Sequence, residues 1–178
     1  MKFPASTAQA HYASPLGHMI LAADADKLVG AWFDGQSHQP ESNNWPRSAQ
    51  HPVLQQARLE LAEYFARRRT AFDVPLSFVG GTEFQQAVWR ELLRIPYGTT
   101  TSYGALSAAI GKPAAVRAVG AAVGRNPLSI IVPCHRVVGA DRSLTGYAGG
   151  LDRKVALLRL EGASFKSDPT PEQRQGTL

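Results

Sequence analysis

The sequence predicts an α+β fold in two subdomains, an N-terminal unit of a small sheet plus a helix and a mostly helical C-terminal unit. Three observations carry this. Strand-like apolar runs fall before residue 34, and helical periodicity dominates after residue 82. Between them, Gly80-Gly81 marks a change in charge. Residues 1–82 hold seven Lys/Arg and seven Asp/Glu, whereas residues 83–165 hold ten and five. The boundaries expected are 1–80, 81–165 and a disordered tail at 166–178, which is polar and contains proline. With 178 residues the chain can bury a core of ordinary size.

Residues 1–10 read as frayed. Met19 to Ala22 and Leu28 to Phe33 read as strands, joined by a hairpin turn at Asp24-Ala25-Asp26-Lys27. Residues 34–52 are rich in Gly, Ser, Asn, Gln and Pro and read as a loop. Pro52 suits the first position of a helix whose apolar face is Leu54, Ala57, Leu61, Tyr64 and Phe65. Arg67-Arg68-Arg69 closes it, as a solvated helix end or a binding patch. Phe72 to Phe78 reads as a returning strand. Thr82-Glu83-Phe84-Gln85 is a capping box opening a helix that buries Phe84, Val88, Trp89, Leu92 and Leu93.

A helix–turn–helix candidate comes next. Ser102 caps a helix to about Ile110, Gly111-Lys112-Pro113 turns, and a second helix runs from about Ala114 to Val123. This second helix is small-sided, with Arg117 as its one long polar residue. A major-groove reader carries several polar side chains, so the small face suits close approach in a narrower groove. The last helix is expected to pack Leu151, Val155, Leu158 and Leu160, with Gly162 as its stop. Glu161 sits at its C-terminus, where the helix dipole opposes an acid, so its placement needs another reason.

Chemistry concentrates at Pro133-Cys134-His135-Arg136. Cys134 is the sole cysteine, which excludes an internal disulfide and any multi-thiolate zinc site in one chain. Ser129 to Val132 reads as a short buried strand that ends at Pro133 and aims the thiol. A buried free cysteine often only packs. Here, His135 and Arg136 place basic character beside the sulfur, which favours thiolate. Upstream, the Asn126-Pro127 turn can brace backbone through the Asn amide. Downstream, the glycines around Tyr147 suggest close approach of backbone to a ligand. The excess positive charge lies in this same segment and points to a polyanionic partner. No stretch approaches the roughly 20 apolar residues of a transmembrane helix, and the start lacks a signal-peptide run. A soluble, cytoplasmic protein is expected.

Arg117-Ala118-Val119-Gly120, Asn126-Pro127, Pro133-Cys134-His135-Arg136-Val137, Tyr147-Ala148-Gly149-Gly150-Leu151 and Glu161-Gly162 together resemble the O6-alkylguanine-DNA alkyltransferase family. The resemblance is strong over about residues 82–162 and loose over 11–78. It implies cofactor-free repair of double-stranded DNA carrying O6-alkylguanine. A monomer binds through the minor groove, flips the damaged base out and moves its alkyl group irreversibly onto Cys134. His135 matches the base, Glu161 the group orienting it, and Asn126 the asparagine bracing the active-site turn. Arg117 matches the arginine that fills the gap left by the flipped base, and Tyr103 the tyrosine that assists the leaving base. Ser102, Ala114, Ala115 and Ala118, with Ala121, Ala122 and Arg125, fall on the implied DNA face. Pro133, Val137, Tyr147, Ala148 and Gly149 fall on the implied pocket wall.

Adjacent residues on extended backbone point opposite ways, so Cys134 and His135 are expected to communicate through a water. No metal is expected, although some relatives carry zinc in the N-terminal domain. Ala148 departs from the hydroxyl residue of other members, which leaves the alkyl preference and any activity on O4-alkylthymine open. One alternative is a DNA-binding regulator whose cysteine senses alkylation or oxidation. Another is a Cys-His-Glu hydrolase, although its histidine would rarely be the next residue.

Overall fold

The computed structural model describes residues 2–42 and 44–166. It has the expected class: a small N-terminal sheet with one helix, then a helical unit. β1 (Ala8–Ser14), β2 (Gly17–Asp24) and β3 (Lys27–Phe33) form an antiparallel sheet in sequence order. The 24–27 hairpin is as expected, with Ala23 and Asp24 facing Leu28 and Lys27 across it. The frayed start is not: Ala8, Gln9 and Ala10 are buried in β1, paired with Ala23, Ala22 and Leu21. Small residues gave that strand no β-branched signature, yet they suit a face pressed against helix α1 (Pro52–Phe65).

Leu54, Ala57, Leu61 and Tyr64 on α1 are buried, as their spacing predicts. Buried Glu60 accepts from the Asp73 and Val74 amides at 2.9 and 3.1 Å. It thereby fastens the 72–78 segment to α1. That segment is not a strand; it is extended chain with a single bridge, Leu76 to Leu28. Arg69 is no free patch, since it pairs with Glu63 and Asp73 at 2.8 and 2.9 Å.

The second unit opens with α2 (Glu83–Leu92), whose capping box forms as predicted. α3 (Tyr103–Ala109) is capped by Ser102. α4 (Val116–Gly124) starts two residues later than expected, because the Ala115 amide closes a turn onto the Lys112 carbonyl at 2.9 Å. Two-residue strands β4 (Thr101–Ser102) and β5 (Val137–Val138) pair in parallel.

α5 (Leu151–Glu161) ends at Gly162, which adopts φ +70°. Its inward face differs from the expected one. Lys154, Leu157, Leu158 and Glu161 are buried, whereas Leu151 is 46% exposed. The buried stripe keeps helical spacing, but two of its members are ionisable, which hid it from an apolar pattern.

The two units share their core. Ala31 of β3 bridges Leu128: its amide donates to the Pro127 carbonyl at 2.9 Å and its carbonyl accepts from Ser129 at 2.8 Å. Arg153 of α5 stacks 4.5 Å over the Phe33 ring and donates to the Leu16 carbonyl. The segment leading to Cys134 is thus docked on the edge of the N-terminal sheet. Among the described residues no helix is long and apolar enough to cross a membrane. The tail reading mostly lies outside the described residues; Lys166 is held by the Arg142 carbonyl at 2.9 Å.

Candidate active site

Residues 129–132 are buried but are not a strand. The Val132 amide bonds to the Leu128 carbonyl at 2.8 Å, and Ile130 sits at φ +73°. A β-branched residue is rarely found in that region, so the turn must be imposed by its surroundings. Asn126 imposes it. Its Oδ1 accepts from the Leu128 amide at 3.0 Å, and its Nδ2 donates to the Val132 carbonyl at 2.8 Å. The same Nδ2 donates to Cys134 Sγ at 3.0 Å. One side chain therefore shapes the turn and solvates the sulfur.

Cys134, His135 and Arg136 form one turn of 3-10 helix, not extended chain. The two reactive side chains still diverge. His135 Nε2 meets Glu161 Oε1 at 2.7 Å, with both side chains fully buried. Arg136 grips the same carboxylate, Nε to Oε2 at 2.8 Å and Nη2 to Oε1 at 3.1 Å, and sends Nη1 to the Ile95 carbonyl. The Gly98 amide adds a bond to Oε2 at 3.2 Å. Gly98 is at φ +75°, and a Cβ there would lie 3.0 Å from the Glu161 carbonyl oxygen, so glycine is required. This network is why an acid stands at the end of α5.

The electrostatics are set by burial and then corrected. Burial would push the Glu161 carboxyl up; the bonds and charges of His135 and Arg136 overcome it and hold it at about 2. Burial lowers the His135 imidazole, despite Glu161, and keeps it neutral. With Nε2–H committed to Glu161, Nδ1 is the bare acceptor, and it finds no hydrogen-bond partner among the described residues. Burial raises the Cys134 thiol; the Asn126 bond, the Lys154 ammonium and nearby amides pull against it. The cation that the thiol feels is thus Lys154, while Arg136 is spent on Glu161. The sequence did not point to Lys154. It is wholly buried, donates to the Val137 and Thr145 carbonyls at 2.6 and 2.9 Å, and is lowered by burial to about 8.

Cys134 lies in the lining of a cavity of about 460 Å³. Tyr103, Tyr147 and Ala148, read from the sequence as pocket residues, also line it, and so does Arg117, read as part of the DNA face. Tyr103 accepts from the Thr145 hydroxyl at 3.2 Å, and burial keeps its phenol protonated, so its own proton can be donated. Ser37 and His38 of the N-terminal unit reach the same cavity. The Ser37 amide bonds to the Ala148 carbonyl at 3.0 Å, and His38 holds φ +64°. Sequence reading placed them in an undifferentiated loop.

Other expected residues lie elsewhere. Pro133 lines a separate hollow behind the site with Ile95, Tyr97 and Arg136. Val137 is core, paired with Thr101. Gly149 is a supporting position, where a Cβ would meet the Tyr147 ring at 2.7 Å and Phe33 at 3.1 Å. On α4, Arg117, Ala118 and Ala121 are exposed; beside it Ala114 and Arg125 are exposed and Ala115 partly so, as is Ser102 at the head of α3. Ala122 is buried and its carbonyl accepts from Trp89 Nε1 at 2.8 Å, which removes it from any outer face.

A family model described as the ribonuclease-like domain of 6-O-methylguanine DNA methyltransferase matches residues 8–78. One described as the DNA binding domain of the same protein matches residues 83–163. The methylated-DNA–protein-cysteine methyltransferase of Mycobacterium tuberculosis is 46% identical over 157 residues, 88% of this chain and 93% of the relative. The Haemophilus influenzae protein of that name is 43% identical over 152 residues, 85% and 84% of the two chains. The crystal structure of M. tuberculosis OGT in complex with DNA superposes with a TM-score of 0.80 at 46% identity, covering 87% of this chain and 92% of that one. With both halves matched and close relatives spanning most of its length, the chain belongs to the 6-O-methylguanine DNA methyltransferase family.

Proposed function

We propose that this chain repairs O6-alkylguanine in DNA by moving the alkyl group onto Cys134. The observation that carries the reading is the sole thiol at the edge of an open cavity, with a neutral, carboxylate-bound histidine behind it. The family supplies the reaction class. The thiol proton passes to His135 Nδ1 through one bridging water. The resulting imidazolium is held by Glu161, which Arg136 keeps ionised. Asn126 and Lys154 stabilise the thiolate. The sulfur attacks the alkyl carbon in line; the S–C bond forms as the C–O6 bond breaks, and the electron pair leaves on guanine. A proton from Tyr103 neutralises the departing base. The product is a thioether, which a His-Glu pair cannot hydrolyse.

The binding half of the reading rests on α3, α4 and charge. They are read as a helix–turn–helix, with α4 in the minor groove and the exposed Ala114, Ala118 and Ala121 allowing close approach. Arg117, exposed at the cavity mouth, fills the stack when the base is flipped, which offsets part of a cost of a few kcal/mol. The chain acts as a monomer, with residues 1–80 bracing and 81–165 reacting; the family matches meeting near Gly80-Gly81 support that division.

The test is a titration of duplex DNA carrying O6-methylguanine. One methyl is transferred per protein molecule, all of it on the Cys134 peptide, and Cys134→Ser transfers none while still binding DNA. Turnover beyond one equivalent with Cys134 unmodified sinks the reading in favour of a hydrolase. Binding without any transfer favours the regulator.

A further inference from the structure

Five donors on four residues meet the Glu161 carboxylate, and one of them comes from the other unit. Tyr64, on α1, donates its hydroxyl to Glu161 Oε1 at 2.7 Å across 97 residues of sequence. The ring is fully buried. It packs on Phe65, Phe72 and Tyr97, which fix its direction. Oε1 is also the oxygen that holds His135 Nε2, at the same 2.7 Å. Two short bonds on one oxygen, with Arg136 across both, leave the carboxylate no free rotation. A phenylalanine would fill the same space and pack the same neighbours, so packing alone does not explain the hydroxyl.

We infer that Tyr64 is a positioning residue of the transfer centre, by which the N-terminal unit fixes the carboxylate that aims the His135 imidazole at Cys134. The inference rests on the function proposed above. Physically, a neutral donor on Oε1 spreads the carboxylate charge. That keeps the carboxylate a strong orienting group without making the imidazole basic. His135 can then stay unprotonated at neutral pH and ready to take the thiol proton. Removing the hydroxyl concentrates charge on Oε1 and favours imidazolium. Besides Tyr64, the charged and titratable groups around the pair are Arg136 beside His135, Lys154 from α5, Tyr97 from the loop after α2 and Tyr147 from the loop before α5. Tyr97 spends its hydroxyl on the Leu160 carbonyl at 3.3 Å and does not touch the carboxylate.

The experiment measures single-turnover transfer from free O6-benzylguanine to Cys134 against pH, on the full chain. DNA is left out, so binding and base flipping play no part. Tyr64→Phe should slow transfer at pH 6 more than at pH 8 and move the acid limb up by about one pH unit, the scale of one hydrogen bond to a charged group. Tyr97→Phe, which loses a bond to the same helix end, should leave the limb in place. An unmoved limb in Tyr64→Phe, or equal shifts in both variants, overturns the inference. If Tyr64→Phe does not fold, 3-fluorotyrosine at position 64, a stronger donor of nearly the same shape, must move the limb down; no movement overturns the inference. Failure of the wild-type chain to transfer at all defeats the proposed function instead.

Discussion

The two sides of Cys134 are built by opposite rules. Behind it, Glu161 is saturated by Tyr64, Gly98 and the adjacent His135 and Arg136, gathered from three separate stretches of chain. In front lies an open cavity walled by short helices and a glycine-rich loop, with Arg117 and His38 exposed at its edge. A buried, fully bonded network holds one geometry and sets the chemistry of the sulfur. An open wall with exposed ends sets what reaches it. Substitutions behind should therefore change reaction with every alkyl donor equally. Substitutions in front should change one donor relative to another.

The hardest test of this division is Glu161→Gln. The amide keeps the shape but leaves buried Arg136 without its counter-charge, a loss of about 3–5 kcal/mol in stability. Transfer should fall by about 100-fold or more, the scale of a positioned general base, and alike for duplex DNA and free O6-benzylguanine. The pH dependence follows from the carboxyl held at about 2. A depressed carboxyl gives its full stability above its unfolded value of about 4.3 and loses it as pH falls toward 2. Wild type should lose stability across that window more steeply than the variant. Thermal denaturation from pH 2 to 7 measures it, and parallel curves would place the ion pair outside the folded state's energetics.

Arg117→Ala probes the front. The proposed flipping role needs a duplex, so repair of duplex DNA should slow by about tenfold, a fraction of the few kcal/mol that extrusion costs. Transfer from free O6-benzylguanine should be unchanged, and so should stability, since the side chain is exposed. Equal losses on both substrates would move Arg117 to the chemical side and break the comparison.

The same division governs what was readable in the sequence. Helix boundaries were visible where a local rule sets them: Pro52 at the head of α1, the Thr82 capping box, Ser102 before α3 and Gly162 after α5. Cys134, His135, Glu161 and Asn126 were visible as types in a motif, and the odd placement of Glu161 was a real signal. Their partners were not. Tyr64 carries the spacing of a core aromatic and gives no sign of what its hydroxyl meets. Lys154 gave no signal, because polarity is a poor guide when a buried cation finds three carbonyls. The 129–132 run failed for a different reason. Ser-Ile-Ile-Val favours a strand, yet the Asn126 amide and the edge of β3 bend it into a turn with Ile130 at positive φ. Tertiary bonds there override local preference, which a window of neighbours cannot register.

The smallest expected effect sharpens the comparison most, because it asks whether the front wall belongs to one unit or two. His38 is one of two cavity residues from the N-terminal unit, held at φ +64° while its neighbour Ser37 bonds to Ala148. A strained residue at a cavity edge is kept there by its surroundings, and here those surroundings are the pocket loop itself. Ala148 presents only a methyl on that wall, so the space beside it is where a larger alkyl group would extend. His38→Ala removes an imidazole from that edge and touches nothing behind the sulfur. The rate with O6-benzylguanine in DNA should rise relative to O6-methylguanine by about threefold, less than 1 kcal/mol and in line with small pocket changes. The acid limb of the reaction should stay where it is, because no bond to Glu161 or His135 is altered. Competition between the two lesions in one DNA mixture, read by mass spectrometry of the Cys134 peptide, gives the ratio directly. An unchanged ratio would leave the front wall to the C-terminal unit alone, with the 34–41 loop reduced to a strut against Ala148.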